Sequence, residues 1–475
     1  MELGKDLQSR QEVRELVEAA SNAQKTLRNM TQDKLDQIVR AMAKAGADHA
    51  LELARLAKEE TGYGSVPDKE QKNLFASQTV WESIQNTKAV GLLHRDEEKK
   101  LWEIGVPVGV IAGIVPSTNP TSTVIYKSLI SLKSGNAIVF SPHPSAKKCT
   151  LWTVRLLAEA AEQAGCPKGA VGCVSQPTME AVEELMKHPK VCLILATGGP
   201  AMVKAAYSSG TPAIGVGAGN GPAYLHESCN LRQAVSNILQ SKIFDYGTIC
   251  ASEQSILVER SFAKQAEEEL IRQGAWILEE ADAKRLAALL FRANGSMNPA
   301  IVGKPASEIA QMAGLCDGAK QARVLIARET GVGKSHPYSM EKLCPVLGLY
   351  VVENEDQALE LACEILHHEG RGHTFSMHAS DEAVIQRFAM EIPVSRFLVN
   401  TPAALGGIGK TTGLFPALTL GCGAVGGSSS SNNVGPMDLI NIRRVAWGKN
   451  EPVRNVDLDD SMLELLMEKL LKRLK

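Results

Sequence analysis

The run Val108-Gly109-Val110-Ile111-Ala112-Gly113-Ile114-Val115 decides the fold. It is apolar throughout, short, and rich in β-branched residues. It therefore predicts a strand covered on both faces, as strands of parallel sheets are. The sequence that follows has the matching form. Helices are predicted over about 120–133, 146–164, 178–187 and 200–207. Between them lie short apolar runs that predict strands at Ala137–Phe140, Val171–Val174, Val191–Ala196 and Ala213–Val216. Alternation of this kind implies βαβ units and a doubly wound α/β sheet.

Working outward, residues 9 to about 60 read as helices. Ser9 with Glu12 has the form of a capping box, and Thr31 opens a second helix with Leu35, Ile38, Val39 and Met42 on one face. Residues 92–106 are charged in the middle and apolar at both ends, which suits a hairpin. After about 225 the alternation restarts, with a helix over 230–243 and a strand over Ser255–Val258. Further strands are expected near 323–327, 346–352, 373–377 and 396–400, giving a second α/β domain. Met437–Trp447 reads as a strand and 448–456 as a polar linker. Leu458–Lys475 reads as an amphipathic helix with Leu458, Met462, Leu465, Leu466, Leu470 and Leu474 on one face.

A chain of 475 residues can bury more than one core. Its formal net charge of -2 supplies no field to gather nucleic acid or an anionic membrane. The ten cysteines are scattered, with no C-x-x-C pair, so free thiols in a reducing cytosol are expected rather than a disulfide framework. The first residues lack the apolar core of a secretory signal, and no apolar run reaches the ~18 residues of a membrane span.

Several stretches carry chemistry. Ala196-Thr197-Gly198-Gly199-Pro200 stands where a strand hands over to a helix. Backbone N–H groups and the helix dipole there suit a pyrophosphate, although a tight turn needs no ligand to explain it. Gly333-Lys334-Ser335 and Gly409-Lys410-Thr411 look like P-loop ends, but Arg328 and Ala404 stand where the earlier glycine is required. Cys250, in Gly247-Thr248-Ile249-Cys250, follows a helix and precedes a strand. A thiol there is a nucleophile if nearby donors or dipoles lower its pKa; otherwise it is one more core cysteine. Asn119, after the first long strand, offers an amide to a developing oxyanion, or else forms an ordinary Asn-Pro turn. His367, His368, His373 and His378 lack metal-ligand spacing, and no metal is expected.

Together these stretches resemble the aldehyde dehydrogenase superfamily, in particular its coenzyme A-acylating branch. The resemblance runs in order through Pro116–Thr123, Lys127-Ser128-Leu129, Asn136–Lys147, Ala196–Gly210, Gly215–Asn220, Gly247–Ser255, Leu420–Gly423 and Asn433-Val434-Gly435. It implies a Rossmann-type cofactor domain (1–91 and 107–225), an α/β catalytic domain (226–432) and a small β oligomerisation arm (92–106 and 433–447). It implies Cys250 as catalytic thiol and Asn119 as oxyanion donor. Thr197, Gly198, Gly199 and Gly217 fall in cofactor-binding stretches, and Glu341 matches the residue that holds the nicotinamide ribose. Ser141-Pro142-His143 stands where other members have a ribose-gripping lysine, so NAD is expected and NADP stays open. His373, in Gly370-Arg371-Gly372-His373-Thr374, resembles a motif of the branch and is expected to face the site.

One departure bears on the product. Hydrolytic members carry a glutamate in a Glu-Leu-Gly-Gly motif; here the matching stretch is Gly217-Ala218-Gly219-Asn220. Without that base, an acyl group on Cys250 waits for a thiol rather than water. The expected reaction is NAD-dependent oxidation of acetaldehyde or propionaldehyde to acyl-CoA. The alternatives are a hydrolytic enzyme, an acylating enzyme for a charged semialdehyde or sulfoacetaldehyde, an acyl-phosphate reductase, and a catalytically dead scaffold. A homodimer or homotetramer is expected. Helix 457–475 resembles the encapsulation peptides of bacterial microcompartment enzymes, which implies a shell-protein partner and a cytoplasmic location inside such a body. Docking on its own subunit and coiled-coil association are the other readings.

Overall fold

The computed structural model describes residues 4–293, 295–448 and 459–474. β1 (Gly91–Asp96) and β2 (Leu101–Pro107) form an antiparallel hairpin. β3 (Val110–Ile114), β4 (Ala137–Ser141), β5 (Val171–Cys173), β6 (Val191–Thr197) and β7 (Ala213–Val216) form a parallel sheet in the order β5-β4-β3-β6-β7. That is the Rossmann order 3-2-1-4-5, whose topological switch point lies between β3 and β6. A second parallel sheet contains β8 (Gly221–Leu225), β9 (Glu253–Glu259), β10 (Ala275–Ile277), β11 (Val324–Arg328), β12 (Val346–Val352), β13 (Gly372–His378) and β14 (Val394–Val399), ordered β10-β11-β12-β9-β8-β13-β14. β15 (Ile440–Ala446) returns to pair antiparallel with β2.

The apolar run became β3, buried at every position. The helix after it, Pro120–Lys133, is buried on all sides, including Lys127 and Lys133. Lys127 donates to the carbonyls of Ile114 and Leu195, each at 2.8 Å, and so ties together the carboxyl ends of β3 and β6.

Some expectations need correcting. Ser9 is not a cap: the first helix spans Lys5–Leu27, and buried Ser9 bonds Asp6 O and Thr178 Oγ1 instead. Glu12 accepts from the Ser175 and Gln176 N–H groups, so tertiary partners took both residues of the apparent box. Thr31 does cap helix Gln32–Asp48 through the Lys34 N–H. β8, which precedes the division expected at 225, belongs to the second sheet, paired to β9 and β13. β15 begins only at Ile440, after a 3-10 turn over Pro436–Leu439. Of the polar linker, 449–456 lies outside the described residues, as do Leu458 and Lys475. Helix Asp460–Arg473 is capped by Asp459 and exposed along its whole length.

Candidate active site

The carboxyl ends of β3, β4, β6 and β7 face the segments that lead into β9 and β12. Between them lies a cleft of about 500 Å³. It is lined by Asn119, Ser141, Pro142, His143, Thr197, Gly198, Gly199, Gly217, Cys250 and Glu341, among others. Ten of the eleven site residues expected from sequence therefore share one cavity. His373 is the exception. It lies within β13, fully buried, with Nδ1 bonded to Thr374 Oγ1 at 2.9 Å, and it does not line the cleft.

On the first-sheet side the cleft suits a dinucleotide. Helix Pro200–Tyr207 starts at the end of β6, so its free N–H groups face the space that Gly198 and Gly199 keep clear. A Cβ added at Gly199 or Gly217 would meet nothing within 4 Å. The Thr197 and Ser141 hydroxyls are buried and have no partner among the described residues, as groups waiting for a polar ligand would be.

The opposite side is crowded. Helix Leu231–Ile243 ends in a tight turn in which Asp245 (φ 46°) and Tyr246 (φ 51°) are both left-handed. Such geometry costs on the order of 1–2 kcal/mol per non-glycine residue and needs support. Asp245 supplies it. Its Oδ1 accepts from the Ser65 N–H at 2.8 Å, and its Oδ2 accepts from Thr248 Oγ1 at 2.6 Å. Its own N–H donates to Asp68 Oδ2 at 2.9 Å, and buried Lys69 and Lys72 pair with its carboxylate. Burial would raise the Asp245 pKa, but the two lysines hold it below the ordinary value.

Asn119 is the N-cap of helix Pro120–Lys133, yet its side chain caps nothing. Its Nδ2 donates to Thr248 O at 3.1 Å and Thr118 Oγ1 at 3.2 Å, and its Oδ1 accepts from Lys72. The amide is thus turned from its own helix toward the cysteine loop. That distinguishes it from an ordinary Asn-Pro turn.

Cys250 is half-buried. Its thiol does not have the lowered pKa that would by itself mark a nucleophile. Burial pushes its pKa up to about 12, and Glu341 and Cys422 add to the rise. Arg396 opposes it. Arg396 is buried on β14 and donates to the Gly421 carbonyl at 2.6 Å, with no carboxylate partner among the described residues. The stretch that lacks a glutamate of its own receives one from elsewhere: Glu341 Oε1 accepts from the Gly219 N–H at 2.9 Å. Burial and neighbouring Glu369 raise the Glu341 pKa to about 8. Sequence reading missed Lys69, Lys72, Asp245 and Arg396. A charged residue in an apolar stretch was the available signal for Asp245 and Arg396, whereas Lys69 and Lys72 lie in the polar helix Val66–Leu74 and gave none.

The description "Aldehyde dehydrogenase family" fits residues 6–282. The bifunctional aldehyde-alcohol dehydrogenase AdhE of Escherichia coli (strain K12) is 44% identical over 440 residues, which are 92% of this chain and 49% of that one. The chain thus spans about half the length of that relative. An acetylating aldehyde dehydrogenase from Geobacillus thermoglucosidasius superposes with a TM-score of 0.92 at 53% identity, covering 94% of this chain and 98% of that one. A propionaldehyde dehydrogenase from the Clostridium phytofermentans fucose utilisation bacterial microcompartment gives a TM-score of 0.83 at 28% identity, covering 93% of this chain and 98% of that one. The family match starts in the first helix and runs through both cleft-lining glycine turns and the cysteine loop, ending before Glu341 and Leu343, and the chain belongs to the aldehyde dehydrogenase family.

Proposed function

We propose that this protein oxidises a short aldehyde, acetaldehyde or propionaldehyde, to acyl-CoA with NAD as oxidant. One observation carries the choice of product: among the described residues lining the cleft, Glu341 is the only carboxylic acid. With its pKa near 8 it holds a proton over much of the neutral range, and its Oε1 is already engaged by Gly219. It is a poor base toward water at neutral pH, so hydrolysis of an acyl-enzyme is slow. Coenzyme A needs no such base if it enters as a thiolate.

The thiolate of Cys250 adds to the aldehyde carbon, its proton having gone to solvent. The new oxyanion takes hydrogen bonds from the Cys250 N–H and from Asn119 Nδ2, displacing one of the two bonds that Nδ2 makes to Thr118 Oγ1 and Thr248 O. A nicotinamide cofactor bound at Thr197–Gly199 and Glu341 supplies the acceptor for the hydride that leaves the former aldehyde carbon. The Cys250 thioester that results is attacked by the coenzyme A thiolate, which breaks the Cys250 Sγ–acyl bond and frees the thiolate. The relatives named as acetylating and as propionaldehyde dehydrogenases support this reading. NAD is preferred, with Ser141, Pro142 and His143 facing the adenosine ribose.

The arm of β1, β2 and β15 is proposed to pair subunits into a dimer or tetramer; Leu92, Ile442 and Trp447 stand exposed on it. Helix 457–475, exposed on every described side, is proposed to bind a microcompartment shell protein in the cytoplasm. Deleting 449–475 tests this: unchanged shell co-assembly would remove the proposal. For the reaction, NADH release is measured over a panel of aldehydes with and without coenzyme A. Acyl-CoA from a short aldehyde is expected. Equal turnover to free acid without coenzyme A would sink the acylating assignment.

A further inference from the structure

Lys69 and Lys72, one turn apart on helix Val66–Leu74, are each 2% exposed. Both face Asp245, and Lys69 spends a second bond on Thr118 O at 3.0 Å. Lys72 reaches further. Its ammonium donates to Asp245 Oδ2, to Thr248 Oγ1 at 3.4 Å, and to Asn119 Oδ1. An ammonium has three hydrogens and no acceptor, so these three bonds account for all of it.

That inventory fixes the Asn119 amide. An amide is nearly symmetric in shape, and its two ends differ only in that one accepts and the other donates. Because Lys72 can only donate, the atom it touches must be Oδ1. Nδ2 is then turned to Thr248 O, two residues before Cys250. Flipped by half a turn, the same amide would present Oδ1 to a developing negative charge and repel it. A positive charge on Oδ1 also polarises the amide and makes its N–H groups stronger donors.

We infer that Lys72 is a positioning residue for the reaction, holding Asn119 with Nδ2 turned to the Cys250 loop, where the oxyanion takes over one of the two N–H bonds now made to Thr248 O and Thr118 Oγ1. This rests on the reading above, in which Asn119 stabilises that oxyanion. Asp245 holds the ammonium in turn, and the same carboxylate supports the strained turn that carries Cys250, so thiol and amide are set by one buried cluster. Burial lowers the Lys72 pKa to about 8, while Asp245 and Asp68 favour its charge and Lys69 opposes it.

The test is a double-mutant cycle on the full-length enzyme, read by NADH release with a short aldehyde and coenzyme A. Lys72→Met is expected to lower kcat ~10–100-fold, less than the ~10²–10³ for loss of an oxyanion donor itself. The Kd for NAD should stay within about twofold, and Lys72→Arg should recover part of the loss. In an Asn119→Ala background, Lys72→Met should cost less than about twofold more, because the group it orients is gone. Equal losses in both backgrounds, or a Lys72→Met enzyme within about threefold of wild type, would overturn the inference. Lys72→Met leaves Asp245 paired with Lys69, and Lys72→Gln, which keeps a donor for Asn119 Oδ1 without the charge, is the second variant. If neither uncharged variant folds, Lys72 is structural and the inference fails. Wild-type enzyme with no aldehyde-dependent NADH would instead sink the proposed reaction, so the two failures are distinct.

Discussion

A side chain at Gly199 or Gly217 would stand in open space, whereas two residues further on a Cβ at Gly219 would lie 1.8 Å from the Cys250 carbonyl oxygen. The two sides of the cleft differ throughout in this way. The first-sheet side consists of strand ends, a helix start and unpartnered hydroxyls, which leave room for a ligand to complete them. The cysteine side is filled by the protein itself, with two left-handed residues, a buried ion cluster and a glutamate on a backbone N–H. A surface that binds by backbone and space tolerates small additions. A surface that fixes a nucleophile to within tenths of an ångström does not.

The strongest test of that contrast removes the nucleophile. Cys250→Ala is expected to abolish NADH formation, by ~10³-fold or more, while NAD binding measured by fluorescence persists. Loss of both would mean that the two sides are not independent. Asn119→Ala should come next, lowering kcat ~10²–10³-fold with the Kd for NAD little changed. A smaller effect is expected for Gly219→Ala, where backbone must move: ~10-fold or more in kcat and about 1–3 kcal/mol in denaturant stability. Gly199→Ala, by contrast, should change only the KM for NAD, by less than about threefold, with stability within ~0.5 kcal/mol. If it proved as damaging as Gly219→Ala, the distinction between an open and a filled side would collapse.

The thiol offers a sharper measurement. Only the thiolate is alkylated, and below its pKa that fraction rises about tenfold per pH unit. With the Cys250 pKa near 12, iodoacetamide modification of the cofactor-free enzyme should keep climbing through roughly pH 6 to 9 without levelling off. A cationic nicotinamide ring beside the sulfur favours the thiolate, so NAD should speed modification at neutral pH. A plateau below about pH 9 without cofactor would contradict the burial account of the thiol.

Most of the fold was legible because it follows local rules. Uninterrupted apolar runs gave β3, β4, β6 and β7 within a residue or two, and β7 at both ends. β8 was missed because Gly221-Pro222-Ala223-Tyr224-Leu225 holds glycine and proline and no β-branched residue; pairing with β9 and β13 makes it a strand. Ten of the eleven residues to which the family motifs pointed line one cleft. His373 failed because a motif gives proximity along the chain, whereas β13 directs that side chain into the sheet's packing rather than the cleft.

By itself the sequence determined the parallel sheets, the turn at Ala196–Pro200 and the thiol at 250. Each depends on neighbours within a few positions: strand period, a helix start after glycine, a residue type. Only the tertiary structure decided which groups meet. Lys72 reaches Asp245 across 173 positions and Glu341 reaches Gly219 across 122. No local pattern encodes such pairs, and burial together with the partners each group meets shifts its pKa. Burial pushes the Cys250 thiol up rather than down, and a stretch expected to lack a carboxylate has one, because desolvation and long-range contact belong to the folded chain alone.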